Sequence, residues 1–363
     1  ADLVLTKSNH NDNNNDKSPN STSANCARSL SGILSVLTEC VRKSASSSGA
    51  PLEMFAGPII STCYALLQQQ FDEVTREPVE DATESFVVEA LHCVGEVARS
   101  SCSSGHGEKS PILIEGYRRI HPFIICGIRS DSEEVFAAAI GVFEDFAAVI
   151  NEDEVQEVMQ LLVDVLRSDD VLRDLKPKIF KTLSFIALDH RVGFAPFRDT
   201  LVAHAAEASA LVSQADFSGD DEDTVDFFFN LYEAIFTFFT GVLQGHKSDP
   251  QPLLVKSNGN NDGVPLLEHI VRCTTMLGEK VVRGGSITTP DSVAEALFGT
   301  ILDIGNVLNQ TKSSLGKDDR RHWQTLVLTD QLQSLLPMAP SALPSQLLEM
   351  SQMAFDELMM FSR

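Results

Sequence analysis

The 363-residue chain has a single tryptophan and three tyrosines, so its aromatic mass is carried by 21 phenylalanines. It contains no Gly-x-Ser-x-Gly and no His-Glu-x-x-His, and none of its nine histidines falls in a His-x-His. These gaps remove the usual sequence signs of a serine hydrolase and of a zinc peptidase. The seven cysteines are odd in number and include no Cys-x-x-Cys, and most sit among apolar neighbours, where a thiol acts as a small hydrophobe. That usage speaks for a reducing compartment without disulfides or structural zinc. Basic residues are also scarce. Lys and Arg number 28 against 51 Asp and Glu, a net charge of −23. Such a balance argues against nucleic acid, which needs cations to neutralise phosphates, and against anionic membranes; it favours a basic protein partner. No apolar run reads as long enough to span a bilayer, and no cofactor or metal is expected.

What is present is helical periodicity. Residues 1–24 are Asn-, Asp- and Ser-rich and read as a disordered low-complexity segment or loop. From residue 25 to 363 apolar residues recur at helical spacing, in segments separated by Gly, Ser, Pro and Asp. The segments pair as 25–43 with 52–70, 80–99 with 111–129, 132–150 with 151–168, 173–190 with 194–213, 220–246 with 264–282, and 290–309 with 319–337, leaving 344–361 to close the chain. The unit of about 40–45 residues matches HEAT or armadillo arrays, in which each helix pair buries its face by stacking on the next. The expected fold is an all-α, right-handed solenoid of about six and a half HEAT repeats. Pro58 and Pro122 lie inside predicted helices and are expected to kink or break them.

The chain is organised around Asp220–Lys247. An acidic start (Asp220, Asp221, Glu222, Asp223) leads into a helix bearing Phe227, Phe228, Phe229, Tyr232, Phe236, Phe238 and Phe239. That is too much aromatic surface for one core stripe, so the helix is either buried on most sides or keeps an apolar edge for a partner. The Gly105–Ser110 run GHGEKS lacks the spacing and preceding strand of a phosphate loop. His121 and His204 read as packed helical residues rather than ligands, and Glu152, Asp153 and Glu154 read as helix-start carboxylates.

Several stretches, in order, carry a family resemblance. These are EGYRRIHPFIICGIRS at Glu115–Ser130, EVMQLLVDVL at Glu157–Leu166, LKPKIFKTLSFIAL at Leu175–Leu188, TVDFFFNLYEAIFTFFTGVLQGHK at Thr224–Lys247 and DSVAEALFGTILDIGNVL at Asp291–Leu308. Together they resemble the C-terminal half of importin-β, of the karyopherin-β family, as a divergent member. Val225, Asp226, Asn230 or its neighbour, Thr240, Gly241, Gln244 and Gly245 carry the strongest match. The resemblance implies a nuclear transport receptor fragment, with no enzymatic activity, moving between cytoplasm and nucleus and working at the pore. An importin-α-type adaptor or a basic cargo would lie in an acidic concave groove. If the second helix of each pair lines that groove, its carboxylates are Glu157 and Asp164, with Glu115, Asp199, Glu268 and Asp330. Phe-Gly nucleoporins would enter convex-face clefts walled by Phe228, Tyr232, Phe236 and Phe239 with Phe180 and Phe185. A Ran GTPase would be held mainly by an N-terminal half not present in these residues. One departure stands out: Met353 occupies the place of a family tryptophan, with Phe355 on another face. The alternative reading is another HEAT scaffold, either a phosphatase regulatory subunit or a karyopherin that binds cargo directly.

Overall fold

The computed structural model describes residues 20–46, 53–71, 84–102, 110–168, 175–214, 222–255, 264–283, 289–329, 332–335 and 344–362. Residues 1–19, the Gly105–Lys109 part of GHGEKS, Asp220, Asp221 and Asp330 lie outside them. Among the described residues the structure is helical, with no β-strand. The helices are α1 (Asn20–Ser46), α2 (Glu53–Gln68), α3 (Glu84–Cys102), α4 (Pro111–Ile128), α5 (Glu133–Asp145), α6 (Glu152–Arg167), α7 (Leu175–Asp189), α8 (Arg191–Phe194), α9 (Arg198–Ser213), α10 (Glu222–Gly245), α11 (Gln251–Leu254), α12 (Leu266–Arg283), α13 (Asp291–Thr311), α14 (Lys317–Gln324), α15 (Leu332–Leu335) and α16 (Ser345–Ser362). The first helix thus begins inside the stretch expected to be disordered.

Local chemistry explains several boundaries. Asn151 caps α6 through a reciprocal box: its Oδ1 accepts from Glu154 N at 2.9 Å, while Asn151 N donates to Glu154 Oε2 at 3.2 Å. Ser132 caps α5 through Val135 N. Pro111 opens α4 at its first turn, where a missing N–H costs nothing. Pro58 and Pro122, expected to kink or break their helices, lie within α2 and α4, which continue unbroken through them. Each removes one backbone bond; Arg118, whose carbonyl loses its partner at Pro122, is on the exposed side of α4.

The helix pairing differs from the sequence expectation by one helix. The antiparallel partners in contact are α2 with α3, α4 with α5, α6 with α7 through the short α8, α9 with α10, α12 with α13, and the turn after α14 with α16. Helix α1 is therefore the half repeat, and the closing helix α16 completes a pair. Hydropathy marks where helices are, but most helices follow one neighbour in the chain and precede another, and periodicity alone does not say which of the two each packs against.

Two layers follow. One contains α1, α3, α5, α7, α10, α13 and α16; the other contains α2, α4, α6, α9, α12 and the α14–α15 segment. The first is the more closely stacked, and small residues make that possible. Gly241 and Gly245 of α10 seat the α7 backbone: a Cβ at Gly241 would stand 2.5 Å from the Ser184 carbonyl oxygen, and one at Gly245 would overlap that of Ala187. Gly305 of α13 is packed on Glu357 of α16 in the same way. Hydroxyls and amides close the seams. Ser184 Oγ donates to Thr237 O at 2.9 Å, Thr300 Oγ1 donates to Phe236 O at 3.0 Å, and Asn309 Nδ2 donates to Glu357 O at 2.8 Å. In a bent stack the shorter spacing lies inside the curve, so this is the inner, concave layer. Its loosest seam is α5 to α7, which touch over a short stretch. There Glu144 takes Lys178 at 3.5 Å and the Thr182 hydroxyl.

The phenylalanine helix α10 sits in this layer between α7 and α13. Contrary to the sequence expectation, it is long and apolar enough to cross a membrane by length and composition. Its apolar surface is instead used by its neighbours. Phe229, Tyr232, Phe236, Phe238 and Phe239 are all buried, and Phe238 packs on Phe180 and Phe194 at ring distances of 5.7 and 6.3 Å.

Candidate interaction site

Five of the six expected groove carboxylates fall on the outer layer, because each lies on the second helix of a pair read from the sequence and the pairing is shifted; Asp330 lies outside the described residues. Glu157 on α6 is exposed and pairs with His121 Nε2 of α4 at 3.0 Å. Asp164, also exposed, accepts from Gln160 Nε2 at 2.9 Å. Glu115 on α4 pairs with Arg119 at 3.1 Å, and Asp199 on α9 with Arg198 at 2.9 Å. Glu268 on α12 is buried, held by Arg272 and by His322 at 3.0 Å. It is a structural anchor and not a free groove carboxylate. His121 itself is ordered on its other side by Tyr117, whose hydroxyl lies 2.9 Å from Nδ1.

The aromatic assignment is corrected for four of its six residues. Phe180, Tyr232, Phe236 and Phe239 have at most 1% of their surface exposed, since the α7–α10–α13 stack closes over them. Burial also pushes the Tyr232 hydroxyl up to about 12. Phe228 is half-buried on the edge of the core, and Phe185 is 49% exposed. Met353 is exposed on α16 and Phe355 is packed on the core edge.

A different set of residues lines a concavity of the inner layer. A trough of about 580 Å³ crosses α1, α3, α5 and the start of α7, lined among others by Glu39, Arg42, Glu89, His92, Glu96, Arg99, Asp145 and Lys178. On α3 the stripe Ser85, Glu89, His92, Glu96, Arg99 keeps the alternating spacing of four and three that holds one helix face. That stripe was readable in the sequence; what hid it was the choice of layer. The floor is Ala137 and Gly141 of α5, and a Cβ added at Gly141 would meet nothing within 4 Å. The carboxylates are seated in the wall. Glu96 is buried, and burial raises the Asp145 carboxyl above its ordinary value against the opposing pull of Arg99. Arg99 grips Asp145 with two bonds, Nε to Oδ1 and Nη2 to Oδ2, both 2.9 Å, and reaches Glu96 Oε2 at 3.2 Å. Arg42 pairs with Glu39 at 2.9 Å and approaches Glu96 at 3.6 Å. Among the described residues Glu89 has no basic partner.

A second, more apolar cleft of about 310 Å³ lies between α2 and α4 in the outer layer. Gly57, Ile60, Pro111, Ile112 and Gly116 line it, with Glu115 and Arg119 at the edge. It exists because Gly116 lets α4 come against Ile60.

A profile of importin subunit beta-1-like proteins, described by its TPR repeats, matches residues 23–318. The chain belongs to that family. Importin-β-like proteins are transport receptors and not enzymes. Solved structures place the same fold on the chain at low identity. A structure of yeast importin-beta (Kap95p) aligns with a TM-score of 0.66 at 16% identity, covering 92% of this chain and 33% of its own. A complex of Kap95 with Nup1 aligns at 0.53 and 15%, covering 94% and 43%. A structure of Kap95p with RanGDP aligns at 0.51 and 16%, again covering 94% and 43%. The chain thus spans a third to under a half of the importin-β chains it matches.

Proposed function

We propose that this chain is the cargo-gripping part of a karyopherin that carries proteins between cytoplasm and nucleus. The observation that carries the reading is the inner-layer trough, with Glu39, Glu89, Glu96 and Asp145 walling a floor of Ala137 and Gly141. A basic segment of an importin-α-type adaptor or of a cargo would lay its backbone on the small floor residues. Its cations would meet the wall carboxylates through charge-assisted bonds. The net charge of −23 adds long-range steering toward such a partner. A Ran-type GTPase contacts the receptor mainly outside this stretch in this reading.

A nucleoporin contact is the second part. The α2–α4 cleft has the size for one phenylalanine ring and an aliphatic wall from Ile60 and Ile112. Of the aromatic residues expected from the sequence, Phe185 and Phe228 keep exposed surface, but on α7 and α10 of the inner layer and not on the convex face where a Phe-Gly repeat was expected.

Fluorescence anisotropy with a labelled basic helix tests the first part. Glu89→Gln is expected to weaken binding about three- to tenfold, and raising salt to 0.5 M to weaken it further. Binding that ignores both salt and Glu89 removes the trough from the mechanism. For the cleft, Ile112→Asp abolishes capture of a Phe-Gly peptide while leaving the basic-helix affinity unchanged; retained capture rejects it.

A further inference from the structure

The trough already contains guanidinium groups of its own. Arg99 makes three bonds with wall carboxylates, two to Asp145 and one to Glu96. Its side chain is 60% exposed, whereas those of Asp145 and Glu96 are 13% and 7% exposed. The anionic seat is therefore fixed in the helix wall, and the cation lies over it on the solvent side. Asp145 is held in place from behind, where its carboxylate is packed on Gly95 with no room for a Cβ. Arg42 leans on the same Glu96 from α1 at 3.6 Å. Beside the seat the floor at Gly141 is open.

We infer that Arg99 is a resident competitor: its guanidinium holds the Asp145–Glu96 seat that an arginine of the bound segment takes over. This rests on the reading of the trough as a basic-segment site and adds two properties to it. The first is selectivity. A seat that accepts a planar two-pronged donor on Asp145 and a further N–H on Glu96 suits arginine, whereas a lysine ammonium cannot reproduce the fork. The second is a threshold. A ligand must break the resident pair before making its own, and the released Arg99 swings into solvent, so weakly basic segments are turned away. No covalent step is involved; one guanidinium replaces another and the charge of the site is conserved.

The test uses the 363-residue chain with fluorescent nona-arginine and nona-lysine peptides. Arg99→Gln is expected to tighten nona-arginine about tenfold and nona-lysine by less than about threefold. Arg99→Lys, which keeps the charge but loses the fork, gives an intermediate gain for nona-arginine. Arg167→Gln on outer-layer α6 removes the same charge and is expected to leave both affinities unchanged, which separates seat exchange from a general field effect. The Arg99→Gln gain shrinks on acidification, because the Asp145 carboxyl, already raised by burial and now without its guanidinium, takes up a proton more readily. A merely structural Arg99 gives a lower denaturation midpoint with both affinities unmoved, or equal gains from Arg99→Gln and Arg167→Gln; either overturns the inference. If wild-type binding is salt-sensitive and weakened in Glu89→Gln, yet Arg99→Gln brings no gain, the exchange fails and the trough survives. If neither wild type nor Arg99→Gln binds nona-arginine in a salt-sensitive way, both fail.

Discussion

The inner and outer layers meet the same stacking requirement by different means. Between α7, α10, α13 and α16 the backbones come together over glycine, serine, alanine and threonine, and side-chain hydroxyls and amides donate across the seams to backbone carbonyls. Between the outer helices the links are long side chains: His121 to Glu157 from α4 to α6, and His322 to Glu268 from α14 to α12. Small residues leave little slack, because the interior is as dense as an organic crystal. Charged links stretch and can be screened. The difference teaches that the α7–α16 stretch of the inner layer, held by backbone seats, is stiff, whereas the outer helices are joined by more adaptable contacts.

The strongest blow to that contrast is a core deletion in the inner layer. Phe238→Ala, which opens a hole between Phe180 and Phe194, is expected to cost about 3–5 kcal/mol, read as a lower urea midpoint. Next, Gly241→Val forces a side chain into the Ser184 backbone and costs about 3 kcal/mol. If it unfolds no earlier than wild type, the seat at α7 is not tight. On the outer layer Glu157→Gln removes an exposed partner of His121 and should shift stability by less than about 1 kcal/mol. Gly141→Ala meets open space on a helix and is expected to stabilise by roughly 0.5–1 kcal/mol. The same change narrows the trough floor, so calorimetry and peptide affinity move in opposite directions. The smallest effect is on pH dependence. Burial raises the Asp303 carboxyl above its ordinary 3.8, so in the window above that value the folded chain holds more protons than the unfolded one. Stability contributed by this group therefore falls as pH rises through the window. Asp303→Asn flattens that slope while keeping a polar partner for Gln244.

The long helices and the solenoid were legible because apolar spacing is a local property; several helix limits were not, as at α1, which starts at Asn20, and α14, which ends at Gln324. The Thr240, Gly241, Gln244 and Gly245 cluster was legible as a family signature, and the structure gives it a physical meaning. Thr240 faces Thr300 at 3.0 Å, Gln244 donates to Asp303 at 2.9 Å, and the two glycines seat α7. What could not be read locally was the partner of each helix. That one-helix shift moved Glu157, Asp164, Glu115, Asp199 and Glu268 to the outer layer and concealed Glu39, Glu89, Glu96 and Asp145. The aromatic surplus of α10 misled for a related reason. A helix flanked by α7 and α13 in its own layer and packed on α9 buries more of its circumference than one amphipathic stripe predicts.

The short contact of α5 with α7 has a mechanical consequence. Helices stacked side by side act as springs in series, and in such a chain the most compliant element takes most of the extension. The seams at α7–α10 and α13–α16, locked by glycine seats, contribute little. A seam resting on Glu144, with Lys178 at 3.5 Å and the Thr182 hydroxyl, and on His190 against the Ala147 carbonyl, is expected to give first. Changes in the pitch of the whole array would then be concentrated at one hinge line, at the edge of the trough that holds Asp145.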